Sequence, residues 1–263
     1  MSEVSKHRKL NEQQLDVLKL LHKFRFGTND LFAQYFGKAD RSFAYKRLKI
    51  LHEQGLVGKR FDSSYRLLGK PAAYYLTPDG ARRLQEARGT QMNIKSIYKD
   101  KTVSEQFVER SLELFAIRNR LHSEHLLFFT RADMNREEYD YFPRPLPDAY
   151  IRFKESGRHF FLDILHDDEP SFVAKQRIRQ YVKYDEDGDW AITETSLPTV
   201  LVVCESLNLA KRVQKHIARA LDDAWTDSEM SFAFVTKTEL MSEEISVWQR
   251  ADEPNERLTL QDI

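Results

Sequence analysis

The sequence has little of several residue types on which particular classes of protein depend. It contains one cysteine, Cys204, which excludes an internal disulfide framework and a cysteine-based zinc site and fits a reducing cytoplasm. No run of about 18 apolar residues is present, so we expect no membrane span, and the charged N-terminus lacks the apolar stretch of a secretory signal. Only 9 glycines occur and none forms a phosphate-binding loop, which disfavours a nucleotide-driven motor.

Positive and negative charges are equal in number but unequally distributed. The chain has 41 Lys and Arg and 41 Asp and Glu, yet residues 1–90 hold 18 basic and 9 acidic residues. The remainder therefore holds 23 basic and 32 acidic residues. A basic N-terminal segment followed by an acidic remainder is typical of a chain that binds nucleic acid through the basic segment. The length of 263 residues allows two domains of ordinary size.

Helix signals follow one another through the first part of the chain. Asn11 opens a capping box before an apolar run at helical spacing. Thr28 or Asn29 caps a short second helix, and Asp40 caps a third over residues 41–54. The sequence thus predicts three consecutive helices.

The third helix separates an apolar face from a basic one. Ala44, Leu48 and Leu51 recur at helical spacing and predict its buried face. The opposite positions mix cations with polar and aromatic side chains, which suits either a helix in a DNA major groove or a solvated charged surface.

A β-hairpin with a polar, basic loop is predicted next. Residues 56–61 and 73–76 predict its two strands, and residues 62–71 predict the loop. Thr77 and Pro78 then open a further helix as its cap and its first turn.

The segments RLKILHEQGLV and YYLTPDGARRL resemble the winged helix-turn-helix family of bacterial DNA-binding proteins. The resemblance covers about residues 10–90 and implies that the third helix is the recognition helix and the hairpin the wing. Phe43 and Tyr45 are bulky for groove positions, and one of them packing on the first helix is the alternative. The resemblance implies contacts with double-stranded DNA by Arg41, Ser42, Phe43, Tyr45, Lys46, Arg47, Lys49, Arg60, Arg66 and Lys70.

The rest of the chain predicts a second domain. Residues 91–125 predict a linker and a connector helix, whose apolar stripe would pack on its own domain or form a dimer seam. Apolar β-rich runs then alternate with helices and indicate a partly parallel sheet. The expected fold class is α/β and multi-domain, with a mostly α winged helix over 1–90, a nuclease-like α/β sandwich over 126–250 and a fraying polar tail over 251–263.

Two acidic residues raise the question of catalysis. Asp148 begins one predicted strand and Asp163 lies inside the next, an arrangement that resembles the PD-(D/E)xK nuclease fold. The resemblance makes these two the catalytic and metal-binding residues, with Mg²⁺ as cofactor, if the domain cuts DNA. Leu165 occupies the position of the catalytic lysine and cannot orient a nucleophile. We therefore expect an inactive domain without a cofactor, and a substitute Lys175 or Lys183 is the alternative.

The winged helix, the connector and the segments LPDAYIRF, GRHFFLDILHDDEPS and KQRIRQYVKY together resemble the replication–relaxation family, over about residues 10–240. Its pattern places a basic residue four before a tyrosine, here Arg177 and Tyr181. The family belongs to plasmids and other mobile elements and is linked to replication or to relaxation at transfer origins. The resemblance implies a cytoplasmic, nucleoid- or plasmid-associated accessory or regulatory protein, with a relaxase or replication protein as partner and homodimerisation as a further expectation. A magnesium-dependent endonuclease and a transcriptional repressor are the alternatives.

The helix predicted over residues 207–224 carries a basic face. This face, formed by Lys211, Arg212, Lys215 and Arg219, is either a solvated surface or a second contact with DNA phosphates.

Overall fold

The computed structural model describes residues 10–38, 41–89, 92, 94–223, 228–253 and 255–263. Asp40, the expected cap of the third helix, lies outside the described residues. The chain divides into two compact units, Met1–Asn119 and Arg120–Ile263. The fold class is α/β and multi-domain, as the sequence predicts.

The first unit is a winged helix followed by further helices. Its elements are α1 Glu12–Phe24, β1 Phe26–Gly27, α2 Asn29–Tyr35, α3 Ser42–Glu53, β2 Val57–Arg60, α4 Ser63–Leu67, β3 Ala73–Leu76, α5 Pro78–Arg88, α6 Ile94–Ile97, a 3-10 helix Tyr98–Lys101 and α7 Glu105–Leu121. The three strands form an antiparallel sheet in the order β1-β3-β2. The predicted three helices, hairpin and following helix are confirmed.

Local capping explains where these helices begin. The Asn11 side chain accepts from the backbone N–H of Gln14 at 2.9 Å, and the Gln14 side chain accepts in return from the Asn11 N–H at 3.0 Å. Thr77 caps α5 by accepting from the Gly80 N–H at 3.0 Å. A Cβ at Gly80 would collide with the Leu56 carbonyl, so this glycine lets α5 pack closely against the chain entering β2.

The wing contains a short helix where the sequence predicts only loop. Asp62 caps α4, and its Oδ1 accepts from the backbone N–H groups of Ser64 at 2.9 Å and Tyr65 at 3.2 Å. Tyr65 is buried in a cluster with Phe26 and Val108. The loop prediction over 62–71 is wrong at α4 because burying this tyrosine folds the segment back onto the unit.

The connector helix completes the core of the first unit. Phe115 of α7 stacks on Phe24 with ring centroids 4.4 Å apart and meets Phe32 edge-on at 5.5 Å. Asp100, in the 3-10 helix, forms an ion pair with Arg25 at 2.5 Å. The connector helix therefore packs on the first unit of its own chain, and a dimer seam stays a prediction. The first unit therefore extends to Asn119 instead of ending near residue 90.

The second unit is a six-stranded mixed sheet with helices. Its elements are β4 Leu126–Thr130, α8 Arg131–Met134, a 3-10 helix Glu137–Tyr139, β5 Ala149–Phe153, β6 His159–Leu165, α9 Ser171–Asp187, a 3-10 helix Asp189–Thr193, β7 Thr199–Cys204, α10 Leu207–Asp223, β8 Phe232–Thr236, α11 Lys237–Leu240 and β9 Gln249–Arg250. Strands follow one another in chain order across the sheet. The pairs β6–β7 and β7–β8 are parallel, and the other pairs are antiparallel.

The core of this unit lies between the sheet and the pair α9 and α10. Phe161 of β6 stacks on Tyr181 of α9 with ring centroids 5.8 Å apart, and Val213 and Ile217 of α10 are fully buried in the same cluster. Because α9 and α10 each connect two neighbouring parallel strands, they run in the same direction.

One residue of the segment expected to fray pairs with the chain before it. Leu258 bridges to Trp248, and each backbone N–H donates to the other residue's carbonyl, at 2.9 and 3.1 Å. Fraying of the tail over 251–263 stays a prediction. Among the described helices, none combines the length and apolar character needed to cross a bilayer.

Candidate nucleic-acid interface

The outward face of α3 is basic and open to solvent. The three apolar positions predicted to be buried are buried. On the opposite side Tyr45 is 50% exposed, and Lys46 and Lys49 are exposed. Lys49 Nζ lies 3.9 Å from Glu53 Oε1, a loose pair one turn apart on the helix surface. These three side chains are free to contact a ligand lying along α3.

Two side chains predicted to face the groove are held against the unit instead. The Arg47 guanidinium lies over the Phe43 ring at 3.3 Å from its centroid, and Arg47 Nε donates to Gln13 Oε1 at 3.1 Å. Phe43 packs edge-on against Phe36, with ring centroids 5.7 Å apart. Of the two bulky residues, Phe43 is thus the one that packs on the unit, at the end of α2.

Two further residues that the sequence predicts to contact DNA, Arg41 and Ser42, lie at the start of α3. Arg41 Nε lies 2.8 Å from Asp30 Oδ1, and both side chains are exposed. An exposed ion pair of this kind is worth about 0–1 kcal/mol, so a phosphate can displace the carboxylate. Ser42 is half-buried at the helix N-terminus, where backbone N–H groups favour an anion.

Two cations that the sequence predicts to contact DNA, Arg60 and Lys70, lie at the base of the wing and form ion pairs with α7. Arg60 Nη2 lies 3.0 Å from Glu105 Oε2, and Arg60 Nη1 donates to the Val103 carbonyl at 2.7 Å. Lys70 Nζ lies 2.5 Å from Glu109 Oε1 and 3.8 Å from Glu105. The hydrogen bond to Glu109 raises the pKa of Lys70. Arg60 and Lys70 therefore have partners inside the first unit, and their contact with DNA stays a prediction.

The exposed basic part of the wing is built around Phe61. Lys59 Nζ lies 4.9 Å and the Arg66 guanidinium 5.3 Å from the centroid of this ring. Sequence reasoning selected Arg66 but missed Lys59. The signal was present, because neighbouring residues of a strand point to opposite sides and one of Lys59 and Arg60 had to face outward.

The tip of the wing carries an apolar pair that sequence reasoning also missed. Leu67 is 88% exposed and Leu68 is 65% exposed, at the end of α4. Apolar side chains beside a cation such as Arg66 suit the minor groove, where proteins often place them.

The two candidate catalytic residues of the second unit, Asp148 and Asp163, lie together, and we call them the acid pair. N–H or O–H groups reach all four of their carboxylate oxygens. Asp163 Oδ2 accepts from Arg177 Nε at 2.6 Å and from the Tyr181 hydroxyl at 2.7 Å. Its Oδ1 accepts from Arg177 Nη2 at 3.2 Å and from the Asp148 backbone N–H at 3.3 Å. Asp148 Oδ2 accepts from the Ile164 N–H at 2.9 Å, and its Oδ1 lies 3.0 Å from Arg131 Nη2.

This arrangement does not fit a magnesium ion. Burial acts to lower the pKa of Arg177, but Asp163, Tyr181 and Asp148 together outweigh it and the pKa is raised, so the guanidinium stays charged. Burial and the nearby Asp163 charge raise the pKa of Tyr181 well above its ordinary value. Arg131 and Arg177 already neutralise the two acids, whose oxygens a metal would need as ligands. In the part of the chain that the structure describes, no group of three or more His, Cys, Asp or Glu could hold a metal.

The substitutes for the missing catalytic lysine are not seen at the acid pair. Leu165 is 4% exposed and belongs to the apolar core. Lys175 and Lys183 are exposed on α9, whereas Asp163 is contacted from that helix by Arg177 and Tyr181.

Solved structures with some similarity to this chain match less than half of its length, and they are only weakly similar. No curated protein matches the chain. Two solved structures of Lactococcus lactis ZitR mutants share 20% and 21% identity with it. They cover 42% and 46% of this chain and 73% and 82% of their own, with a TM-score of 0.27 in each case. Because the TM-scores and identities are this low, the two structures carry no argument. The winged-helix assignment rests on the helices and strands of the first unit themselves.

The family is shown by a longer match. Residues 18–200 match the family described as Replication-relaxation, from within α1 to the second residue of β7. The match includes the winged helix from the middle of α1 onward, α7, the acid pair and the Arg177–Tyr181 pair. The chain therefore belongs to the Replication-relaxation family.

Proposed function

We propose that the protein binds a specific double-stranded DNA site through α3 and the wing, as an accessory or regulatory protein of plasmid or mobile-element replication, relaxation or transfer. In this proposal the protein is associated with plasmid or nucleoid DNA. Its protein partner is a relaxase or replication protein, and it forms homodimers on palindromic sites. Family membership supports the replication-related role.

One observation carries the proposal. The outward face of α3 presents Tyr45, Lys46 and Lys49 beside a wing that presents Lys59 and Arg66. A helix with cations and a polar aromatic side chain suits base edges and flanking phosphates, and wing cations suit the backbone next to the groove.

We further propose that the second unit cuts no DNA and takes no magnesium. This rests on the two arginines that neutralise Asp148 and Asp163. Plasmid DNA incubated with the protein and Mg²⁺ or Mn²⁺ should stay supercoiled. Nicking that disappears with Asp148→Ala would instead establish the endonuclease.

Footprinting over the DNA flanking the gene tests the main proposal. Lys46→Ala with Lys49→Ala should weaken binding about 100-fold, because each hydrogen bond to a charged group contributes about 1.5 kcal/mol or more. Lys19→Ala with Lys99→Ala is the matched control, since it removes the same charge from exposed positions on other elements of the first unit.

The two variants separate recognition from bulk charge. Equal loss in both would mean that α3 makes no particular contact, and unchanged affinity in the Lys46 and Lys49 variant would overturn the proposal. The position of the footprint decides the role, since a replication or transfer origin supports the accessory role and a promoter supports the repressor.

A further inference from the structure

The outward surfaces of α9 and α10 concentrate positive charge in the acidic part of the chain. Residues 171–183 of α9 and residues 207–219 of α10 each contain four Lys or Arg and no Asp or Glu, and of these Arg177 turns inward to Asp163. The acidic residues of these helices come later, at 185–187 and 222–223. Each basic stretch is about 20 Å long at 1.5 Å per residue.

The two basic stretches lie side by side. Leu209, Val213 and Ile217 turn the apolar face of α10 into the core and leave its basic face outward. His216, on the flank of that face, lines a cleft together with Ser171 and Ala174 of α9, so the two helices lie against each other. Burial lowers its pKa, and so do the charges of Arg219 and Arg212 from α10 and of Lys175 and Arg179 from α9.

One cation of this surface has an exposed acidic partner within the unit. Arg212 Nη2 lies 3.0 Å from Asp167 Oδ1, with both side chains substantially exposed. Lys175, Lys215 and Arg219 are exposed on the same pair of helices. We define the α9–α10 basic surface by Lys175, Arg179, Arg212, Lys215, His216 and Arg219.

We propose that the α9–α10 basic surface binds the phosphate backbone of duplex DNA as a second, sequence-independent contact. Along about 20 Å of its axis one DNA strand presents about six phosphates, which matches the length of the basic stretches. The proposal extends DNA binding beyond the winged helix, and its test does not depend on α3.

The side chains between the cations favour DNA over an acidic protein. Several are uncharged amides, Gln176, Gln180 and Gln214, which donate to phosphate oxygens. Protein–DNA interfaces are polar and strongly positive, whereas the centres of protein–protein interfaces are depleted in charge and enriched in aromatic residues.

The test uses the full chain carrying Lys46→Ala and Lys49→Ala, so that the proposed α3 contact is removed. Affinity for a duplex of about 60 base pairs without a specific site is measured by fluorescence anisotropy over a range of salt concentrations. To this background we add Lys175→Gln, Lys215→Gln and Arg219→Gln. The matched control adds Arg136→Gln, Arg152→Gln and Lys154→Gln, which are exposed elsewhere in the second unit.

We expect the basic-surface variant to lose about 10-fold in affinity and the slope of log K against log salt to fall in magnitude by about 2–3, since each phosphate contact contributes about 0.9. The control should keep the slope, and both should keep the unfolding midpoint. Equal slopes in the two variants overturn the proposal. So does unchanged DNA binding with lost binding to polyglutamate, because that outcome identifies an acidic protein partner. If α3 binds no DNA, the basic-surface variant still weakens binding to this duplex, so the two proposals fail separately.

Discussion

At the scale of single residues, the acid pair shows how two buried carboxylates are held by arginine side chains. Asp163 is 3% exposed and receives two bonds from Arg177 and one from Tyr181. A buried charge is costly to leave unpaired, and the Arg177 guanidinium compensates the charge of the Asp163 carboxylate. The acid pair therefore joins β5, β6 and α9 of the second unit.

We expect Asp163→Asn to lower the free energy of unfolding by about 3–5 kcal/mol, because it leaves the Arg177 guanidinium buried without its counter-charge. Asp140→Asn, at a 72% exposed side chain paired with Arg144, is the control and should change it by less than about 1 kcal/mol. Urea unfolding of both variants measures the difference. Equal effects would show that the acid pair contributes nothing particular.

Asp100 gives the first unit a dependence on pH. Burial raises its pKa to about 6, although the Arg25 charge acts in the opposite direction. Because the folded state holds this proton more tightly than the unfolded chain, the group's contribution to stability is full below about pH 4 and is lost as pH rises through about 6.

The expected result is a stability advantage of the wild type over Asp100→Asn that falls by about 1–3 kcal/mol between pH 4 and pH 7. Chemical unfolding at several pH values in this window measures it. A constant difference between the two proteins would contradict the raised pKa.

At the scale of elements, α7 is a structural part of the winged-helix unit. Its Phe115 is fully buried against Phe24 and Phe32, whereas Phe107 on the same helix is 39% exposed. Phe115→Ala should cost about 3–5 kcal/mol of unfolding free energy through the cavity it leaves. Phe107→Ala is the matched control and should cost clearly less. A similar loss in both, measured by thermal or urea unfolding, would mean that the stacked rings do not anchor α7.

The same helix restrains the wing through its carboxylates. Glu105 and Glu109 hold Arg60 and Lys70 in partly exposed ion pairs. Glu105→Gln with Glu109→Gln should raise DNA affinity several-fold, because it releases two cations and removes two charges that repel phosphate.

The control for this prediction is Glu12→Gln with Glu86→Gln, which breaks exposed ion pairs to Arg88 and Arg83 on α5. Anisotropy with a fixed duplex compares the two variants. If the wing variant binds no better than the control, Arg60 and Lys70 make no contact with DNA.

At the scale of the whole molecule, a neutral chain contains regions of opposite charge. The net charge is zero and the isoelectric point about 7.1, yet the first 90 residues hold twice as many basic as acidic residues. Binding to a polyanion depends on the local cations, because charges more than about 10 Å away are screened at 0.1 M salt.

DNA affinity of the full chain should therefore fall about 1,000-fold between 50 and 200 mM salt, as for proteins that make about six phosphate contacts. Titrations at four or more salt concentrations give the slope. A nearly flat dependence would show that net neutrality governs binding and that phosphate contacts are few.

The sequence by itself determined the order of the main elements, though not the short helix α4, because its signals are local. The capping box at Asn11, the cap at Thr77 and the apolar spacing of α3 each act within a few residues, and all three are found in the structure. The strands β4 to β8 and the helices α9 and α10 of the second unit also follow from runs of apolar residues and their period, whereas the polar strand β9 does not. The acid pair was likewise visible as two residues on neighbouring strands.

Only the tertiary structure decided which charged side chains are open to a ligand. Arg60 and Lys70 meet partners 45 and 39 residues away in the chain, and Arg47 meets Gln13 across 34 residues. The guanidinium groups on Asp148 and Asp163 likewise come from α8 and α9. Such pairings depend on how elements pack, which no local pattern encodes. The sequence therefore determined where the cations lie along the chain, and the packing of elements decided which of them face outward.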